Sequence, residues 1–325
     1  MFDVKKLSMR KEILRKVLKS LYDEKRLPEP PCTLYHYSSL EVIQKILASD
    51  DVRLSHAQYS NDQTELSEAK SLILDRLDHK KNPFNKTVAE AFLKRADEVD
   101  AYIFCMTSGD KSREKPQDLL SQWRAYAQDG RGGALTLEMR QVSALAHHFP
   151  ELRVNPVLYD PNLQCSFIDC ILDSGRALQA VNHSSQTVAV AATVESLIFA
   201  LPLMKHPGFS EEREWRMIFM PFTDSGPAAP TVKFQPRRDF IAPFLEFRHL
   251  WNDIRPEMIK MIGSHYNPPI DVPEPDKNRL IPATGLMVGP SIHQQLNIRA
   301  MTKSVAQSRR NFSVEASTIP YRSLT

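Results

Sequence analysis

Residues 210–219 read SEEREWRMIF. From Glu214 onward charged and apolar residues alternate, with Glu214 and Arg216 set against Trp215, Met217 and Phe219. A period of two is that of a strand, whose successive side chains point to opposite faces. The stretch is therefore read as a strand that sends Trp215, Met217 and Phe219 into a core. Carried backward, the same period places Glu212 on the outer face with Glu214 and Arg216. Read alone, that face is the charged edge of a half-exposed strand pairing with its neighbours. Two carboxylates on one face also suit acid–base work in a cleft. The residues of this stretch leave both readings open.

Elements of similar character lie on either side. Met9 to Arg26 is expected to be a helix, with Ile13, Val17, Leu18 and Leu21 at helical spacing and basic residues on the other face. LPEPPC ends it. TLYHY (33–37) is β-prone, and Ser38 with Glu41 fits a capping box that opens the next helix. VRLSHA (52–57) reads as a second strand. Asp62 and Glu65 form a capping-like pair before a helix with Leu66, Ala69, Ile73 and Leu77 inward. A helix over about 86–97, the strand AYIFCMT and the helix around Trp123 follow, with Gly130 as its stop. Another strand starts at GGALTL, then come a strand at VNPVLYD and two helices over 162–203. The last third holds short strands, a helix-like stretch near Trp251, a proline-rich loop and a helix over about 292–306. Strands and helices alternate without a regular βαβ period, which favours α+β over a doubly wound sheet.

Composition narrows the function classes. The chain has 325 residues, 42% hydrophobic and 25% charged, with a formal net charge of +3. These are the proportions of a globular protein, and the charge does not by itself imply nucleic acid or membrane. No apolar run is expected to span a membrane, and the charged N-terminus lacks the core of a signal peptide. A cytoplasmic location is expected. Cys32, Cys105, Cys165 and Cys170 form no CxxC pair and are read as reduced, mostly buried thiols. The absence of GxGxxG and GxxxxGK[ST] argues against a Rossmann dehydrogenase and a P-loop NTPase. No HExxH or spaced His/Asp cluster appears, and the adjacent His147 and His148 point in different directions on a helix, so no metal site is expected.

The order of LYHYSSL, RLS with SND, FCMTS, LLSQWRAYA with GGALTL, EREWRMIF, MVGPS and TIPYR resembles the bacterial DUF2971 family. The resemblance runs from about residue 33 to the C-terminus. It implies a helical extension over 1–31 and one domain over 32–325. The family is in turn similar to the ADP-ribosyltransferase superfamily, which implies a split β-sheet core with surrounding helices and NAD as substrate. On that likeness His36 holds the ribose or nicotinamide end, and Ser38, with Tyr37 between them, also contacts NAD. Ser55 or Tyr59 supplies the middle motif. Glu214 takes the place of the essential glutamate and Glu212 that of its helper, orienting or deprotonating the acceptor. Arg216 serves either the pyrophosphate or the glutamates. The N-terminus of the helix near Ser39 adds phosphate donors.

Three functions fit this reading. One is an NAD-dependent ADP-ribosyltransferase acting on an unknown protein or nucleic-acid acceptor, as a bacterial defence or toxin effector. The second is a catalytically inactive module that binds a nucleotide or nucleic acid, served by the basic N-terminal helix and the segments near Arg237 and Arg309. The third is an NAD glycohydrolase with water as acceptor. The oligomeric state stays open.

Overall fold

In the computed structural model, the residues described are 4–59, 65–79, 82–181, 186–221, 228–237, 239–263, 272, 274–276 and 278–321. The expected helix start at Asp62 and much of the proline-rich loop lie outside them. Among the described residues, ten strands form one sheet: β1 (Thr33–Ser38), β2 (Arg53–His56), β3 (Tyr102–Thr107), β4 (Gly133–Glu138), β5 (Leu152–Pro156), β6 (Glu214–Phe219), β7 (Lys233–Pro236), β8 (Ile241–Glu246), β9 (Ala283–Val288) and β10 (Val314–Ala316). Only β9 and β10 pair in parallel among these; the other pairings are antiparallel. Eleven α-helices surround the sheet among the described residues: α1 (Val4–Asp23), α2 (Leu40–Ser49), α3 (Glu65–His79), α4 (Pro83–Leu93), α5 (Leu120–Tyr126), α6 (Met139–His147), α7 (Pro161–Val181), α8 (Gln186–Ala200), α9 (Phe247–His249), α10 (Arg255–Ile262) and α11 (Gln294–Gln307). The architecture is α+β.

The centre of the sheet is β3. Its sequence, YIFCMT, is β-prone and almost unbroken in apolar character, as a strand covered on both faces must be. Along one edge β3 pairs with β6 over its whole length, from Tyr102↔Phe219 to Thr107↔Glu214. The other edge is divided. Strand β1 meets it only at Tyr35↔Thr107, and β2 meets it only at Ser55↔Ile103 and His56↔Tyr102. Strands β4, β9 and β10 continue from β1, while β8 and β7 continue from β2. The sheet thus splits into two wings, leaving the edge of Phe104 to Met106 outside the ladder.

Each face has its own core. Ile103 and Ile218 pack with α1, α4, α7 and α8, through residues such as Ile13, Val88, Phe167 and Leu197. Phe104, Trp215, Met217 and Phe219 pack on the opposite face with α2, α6, α10 and α11. Trp215, Met217 and Phe219 are therefore inward, as their alternation predicts. Helix α1 shares the first of these cores with α7 and α8. Its Arg10 is buried against Glu151 rather than solvated.

Several local expectations are corrected. The N-cap of α2 is Ser39, whose side chain accepts from the Val42 amide at 3.1 Å, so Ser38 ends β1 and does not cap. All six residues of β6 are buried, because β5 covers its second edge and the α7–α8 layer covers its polar face. The outer face of SEEREWRMIF is not a solvated one. The segment Gln186–Leu203 is long and apolar enough to cross a membrane by composition, contrary to expectation, yet 72% of it is buried inside the fold. Cys32 is exposed and the other three cysteines are half-buried. His148 is buried, bonding the Val272 carbonyl at 2.7 Å, and His147 is exposed. Gly130, at φ +85°, turns its N–H back to the Trp123 carbonyl at 3.0 Å beyond the end of α5.

Candidate active site

A cleft of about 230 Å³ opens where the two wings leave β3. Its lining includes Tyr35, His36 and Tyr37 from β1, Arg53, Ser55 and His56 from β2, Cys105 and Thr107 from β3, and Glu214 and Arg216 from β6. Tyr59, Gln122, Tyr126, Lys205, Glu212 and Arg237 also line it, with Ile103, Phe104 and Met106 as apolar wall. Seven of the eight residues singled out in the sequence, from both halves of the chain, converge here. Ser38 is the exception: it and the start of α2 lie outside the lining.

His36 owes its position to the split. Where β1 leaves β3, His36 Nδ1 bonds the Cys105 carbonyl at 2.9 Å. A carbonyl only accepts, so Nδ1 carries the proton and Nε2 remains an acceptor. The ring stacks on Phe104 with centroids 4.3 Å apart. Burial lowers the His36 pKa, against the raising effect of the Cys105 bond, which keeps the ring neutral near pH 7.

Glu214 and Arg216, on the same face of β6, meet through two bonds: Nε to Oε1 at 2.8 Å and Nη2 to Oε2 at 2.9 Å. Arg216 also donates from Nη1 to the Pro202 carbonyl at 2.6 Å. Burial alone would push the Glu214 carboxyl up, but Arg216 and Lys205 outweigh it and hold its pKa at about 2. The Glu214 amide donates to the Tyr159 hydroxyl oxygen at 3.0 Å.

Glu212 reaches the cleft by another route than expected. It belongs to a 3-10 turn, Pro207–Glu212, not to the strand. Arg213 follows in the left-handed region at φ +44°, reversing the chain between the two glutamates. Lys205 then joins them, donating to Glu212 Oε2 at 2.5 Å and to Glu214 Oε2 at 3.3 Å. Tyr126 donates its hydroxyl to Glu212 Oε1 at 2.5 Å. Lys205 is held by its backbone: its amide donates to the Leu158 carbonyl at 3.1 Å, and buried Gln164 donates to its carbonyl at 3.0 Å. Burial would lower the Lys205 pKa, but the glutamates raise it overall, so the ammonium stays charged.

The sequence reading missed Lys205 and Tyr126. Lys205 ends the run LPLMK, outside the motifs, and Tyr126 lies in LLSQWRAYA, on a short helix otherwise notable for Trp123. The remaining candidates differ in what they have left to offer. Tyr37 lines the cleft, but its hydroxyl is bonded to the Gln117 carbonyl and its ring sits edge-on to Trp123 at 4.9 Å. Ser55 is half-buried on β2, and Tyr59 is 40% exposed at the rim. Among the described residues, no three His, Cys, Asp or Glu side chains are grouped so as to hold a metal ion.

A family model described as a protein of unknown function, DUF2971, matches residues 122–217. This DUF2971 stretch is narrower than the span suggested by the motif order. It holds Tyr126, Lys205, Glu212, Glu214 and Arg216, and leaves His36, Ser55 and Tyr59 outside. No curated protein and no solved structure matches the chain.

The chemical capacity of the cleft follows from its charges. Lys205, Arg216, Arg53 and Arg237 stand against Glu212 and Glu214, so the lining carries more positive than negative charge. Such a cleft attracts an anion. Its floor holds a buried carboxylate, a neutral imidazole acceptor and a charged ammonium.

Proposed function

We propose that this cleft binds NAD and breaks its nicotinamide glycosidic bond, transferring ADP-ribose to a macromolecular acceptor. The observation that carries the proposal is the convergence of His36, from the N-terminal half, with Glu212 and Glu214 in one cationic cleft of a split sheet. That arrangement supports the likeness to ADP-ribosyltransferases drawn from HYS and EREW.

The reaction fits the side chains. As the C1′–N bond breaks, its electron pair leaves with neutral nicotinamide and positive charge builds on the ribose, as in glycoside hydrolysis. A preorganised carboxylate beside the ribose stabilises that charge. Glu214 supplies it by accepting from the ribose 2′-hydroxyl. A ribose hydroxyl displaces the 3.3 Å contact of Glu214 to Lys205, since Lys205 keeps its shorter bond to Glu212. The acceptor nucleophile forms its bond to C1′ and gives its proton to Glu212, the less buried carboxylate. His36 Nε2 accepts from the substrate amide or a ribose hydroxyl. The cleft volume suits one end of a dinucleotide.

One observation favours a second reading. Glu214 is already engaged by Arg216 and Lys205, so the same cleft also suits a module that binds an anionic nucleotide without cleaving it. Incubating the purified protein with NAD and candidate acceptors separates the two. Transfer gives nicotinamide and ADP-ribose attached to a macromolecule, hydrolysis gives free ADP-ribose, and simple binding leaves NAD intact. Intact NAD with every acceptor tested ends the enzymatic reading.

A further inference from the structure

Beyond the cleft, the wing formed by β2, β8 and β7 carries a surface of distinct chemistry. Register decides which side chains share its cleft face. Arg53 lies opposite Glu246 and Ser55 opposite Phe244; Lys233 lies opposite Phe244 and Gln235 opposite Ala242. Arg53, Ser55, Lys233 and Gln235 therefore face the cleft side together, whereas Phe234 and Ile241 point to the other side. Arg53 stacks on Phe244 at 4.5 Å and donates to Gln235 at 3.0 Å, which fixes its guanidinium in place.

The turn from β7 to β8 completes this surface. The Arg237 amide donates to the Phe240 carbonyl at 2.8 Å, closing the hairpin. Phe240 is then laid against Tyr59, with ring centroids 5.8 Å apart, and these rings are 43% and 40% exposed. Tyr59 is buttressed by His56, edge to face at 5.5 Å. Arg237 lines the cleft, is exposed, and makes no side-chain ion pair with a described residue. Glu246 is the acidic group on this face, and Lys233 bonds it at 2.6 Å. Asp239, in the turn, is exposed. Two open aromatic rings beside fixed and unpaired guanidinium groups form a platform for a flat base flanked by phosphates. A peptide strand would use the edge of β7 away from β8, but that edge is four residues long and ends in Pro236, which has no N–H to donate.

We infer that Tyr59, Phe240, Arg53 and Arg237 form a docking surface for single-stranded nucleic acid at the rim of the cleft, and that this strand is the acceptor of the reaction proposed above. The acceptor role rests on the transferase reading; the docking surface stands without it. A base stacks on Phe240 and Tyr59 while its neighbouring phosphates meet Arg237 and Arg53, which brings the strand beside Glu212.

The experiment is fluorescence anisotropy with labelled single-stranded DNA and RNA of mixed sequence, at several salt concentrations. The wild type binds, more weakly as salt rises. Phe240→Ala and Tyr59→Ala each weaken binding by about fivefold to a hundredfold. Arg237→Ala weakens it and reduces the salt slope by about one. Phe234→Ala and Ile241→Ala, on the opposite side of the wing, leave it unchanged. All four surface side chains are exposed, and thermal melting confirms that these variants fold. Absence of wild-type binding at low salt overturns the inference. So does equal weakening by Phe234→Ala and Phe240→Ala, or transfer of labelled ADP-ribose to protein with none to the oligonucleotide. Oligonucleotide binding without nicotinamide release upholds the docking surface and sinks the transferase reading.

Discussion

Glu214 and Arg216, two positions apart on β6, join side chain to side chain through two hydrogen bonds inside the protein, with Arg216 only 1% exposed. A pair this deep is costly to halve. Arg216→Met leaves a buried carboxylate with Lys205 as its remaining cation and frees the Pro202 carbonyl. We expect a loss of about 3–5 kcal/mol in urea unfolding. Arg216→Lys retains the charge but not the two-pronged geometry, and should fall between.

The same pair predicts an acid dependence. Glu214 has its pKa held at about 2 in the folded protein, below its ordinary value of 4.5. A depressed carboxylate contributes stability that is present above the unfolded value and lost as pH falls through the folded one. The loss therefore runs from about pH 4.5 down to about 2, and totals roughly 3 kcal/mol. Unfolding curves across that window should fall more steeply for the wild type than for Glu214→Gln. Parallel curves would show that Arg216 does not hold the carboxylate ionised.

Arg213 tests how the two glutamates come together. Its left-handed backbone is disfavoured for a side chain branched at Cβ. Arg213→Val and Arg213→Gly both lose the ion pair to Asp110, so their difference isolates the backbone. The valine variant should be less stable by about 1–2 kcal/mol. Equal stabilities would mean that the reversal at 213 is not strained.

His36 should be neutral at pH 7, with the proton on Nδ1. Nitrogen-15 NMR of the imidazole is expected to show a protonated Nδ1 and a bare Nε2. A proton on Nε2 would break the bond to Cys105 and remove the acceptor assigned to the substrate.

Much of this fold is legible in local pattern. TLYHY, AYIFCMT and EWRMIF each carry strand chemistry, and the alternation of EWRMIF gives its correct inward residues. What the pattern misses is set by distant segments. The polar face of β6 looks solvated because nothing in EREWR announces β5 or the α7–α8 layer that bury it. Glu212 looks like a strand residue because a period of two carried back from Glu214 includes it, whereas the backbone turns left-handed at Arg213. The cap shifts from Ser38 to Ser39 because both serines satisfy the local rule and β1's pairing with Gly133 claims Ser38. Lys205 and Tyr126 reach the glutamates only through tertiary packing, so no spacing in the sequence marks them.

The central claim is that Glu214 stabilises a ribose from which nicotinamide is leaving. The measurement is the time course of nicotinamide release from NAD by wild type and by Glu214→Gln, with single-stranded oligonucleotide present and folding matched by circular dichroism. The account predicts release by the wild type and a loss of at least about a hundredfold in the variant. Equal release by both proteins, or none by the wild type, would contradict it.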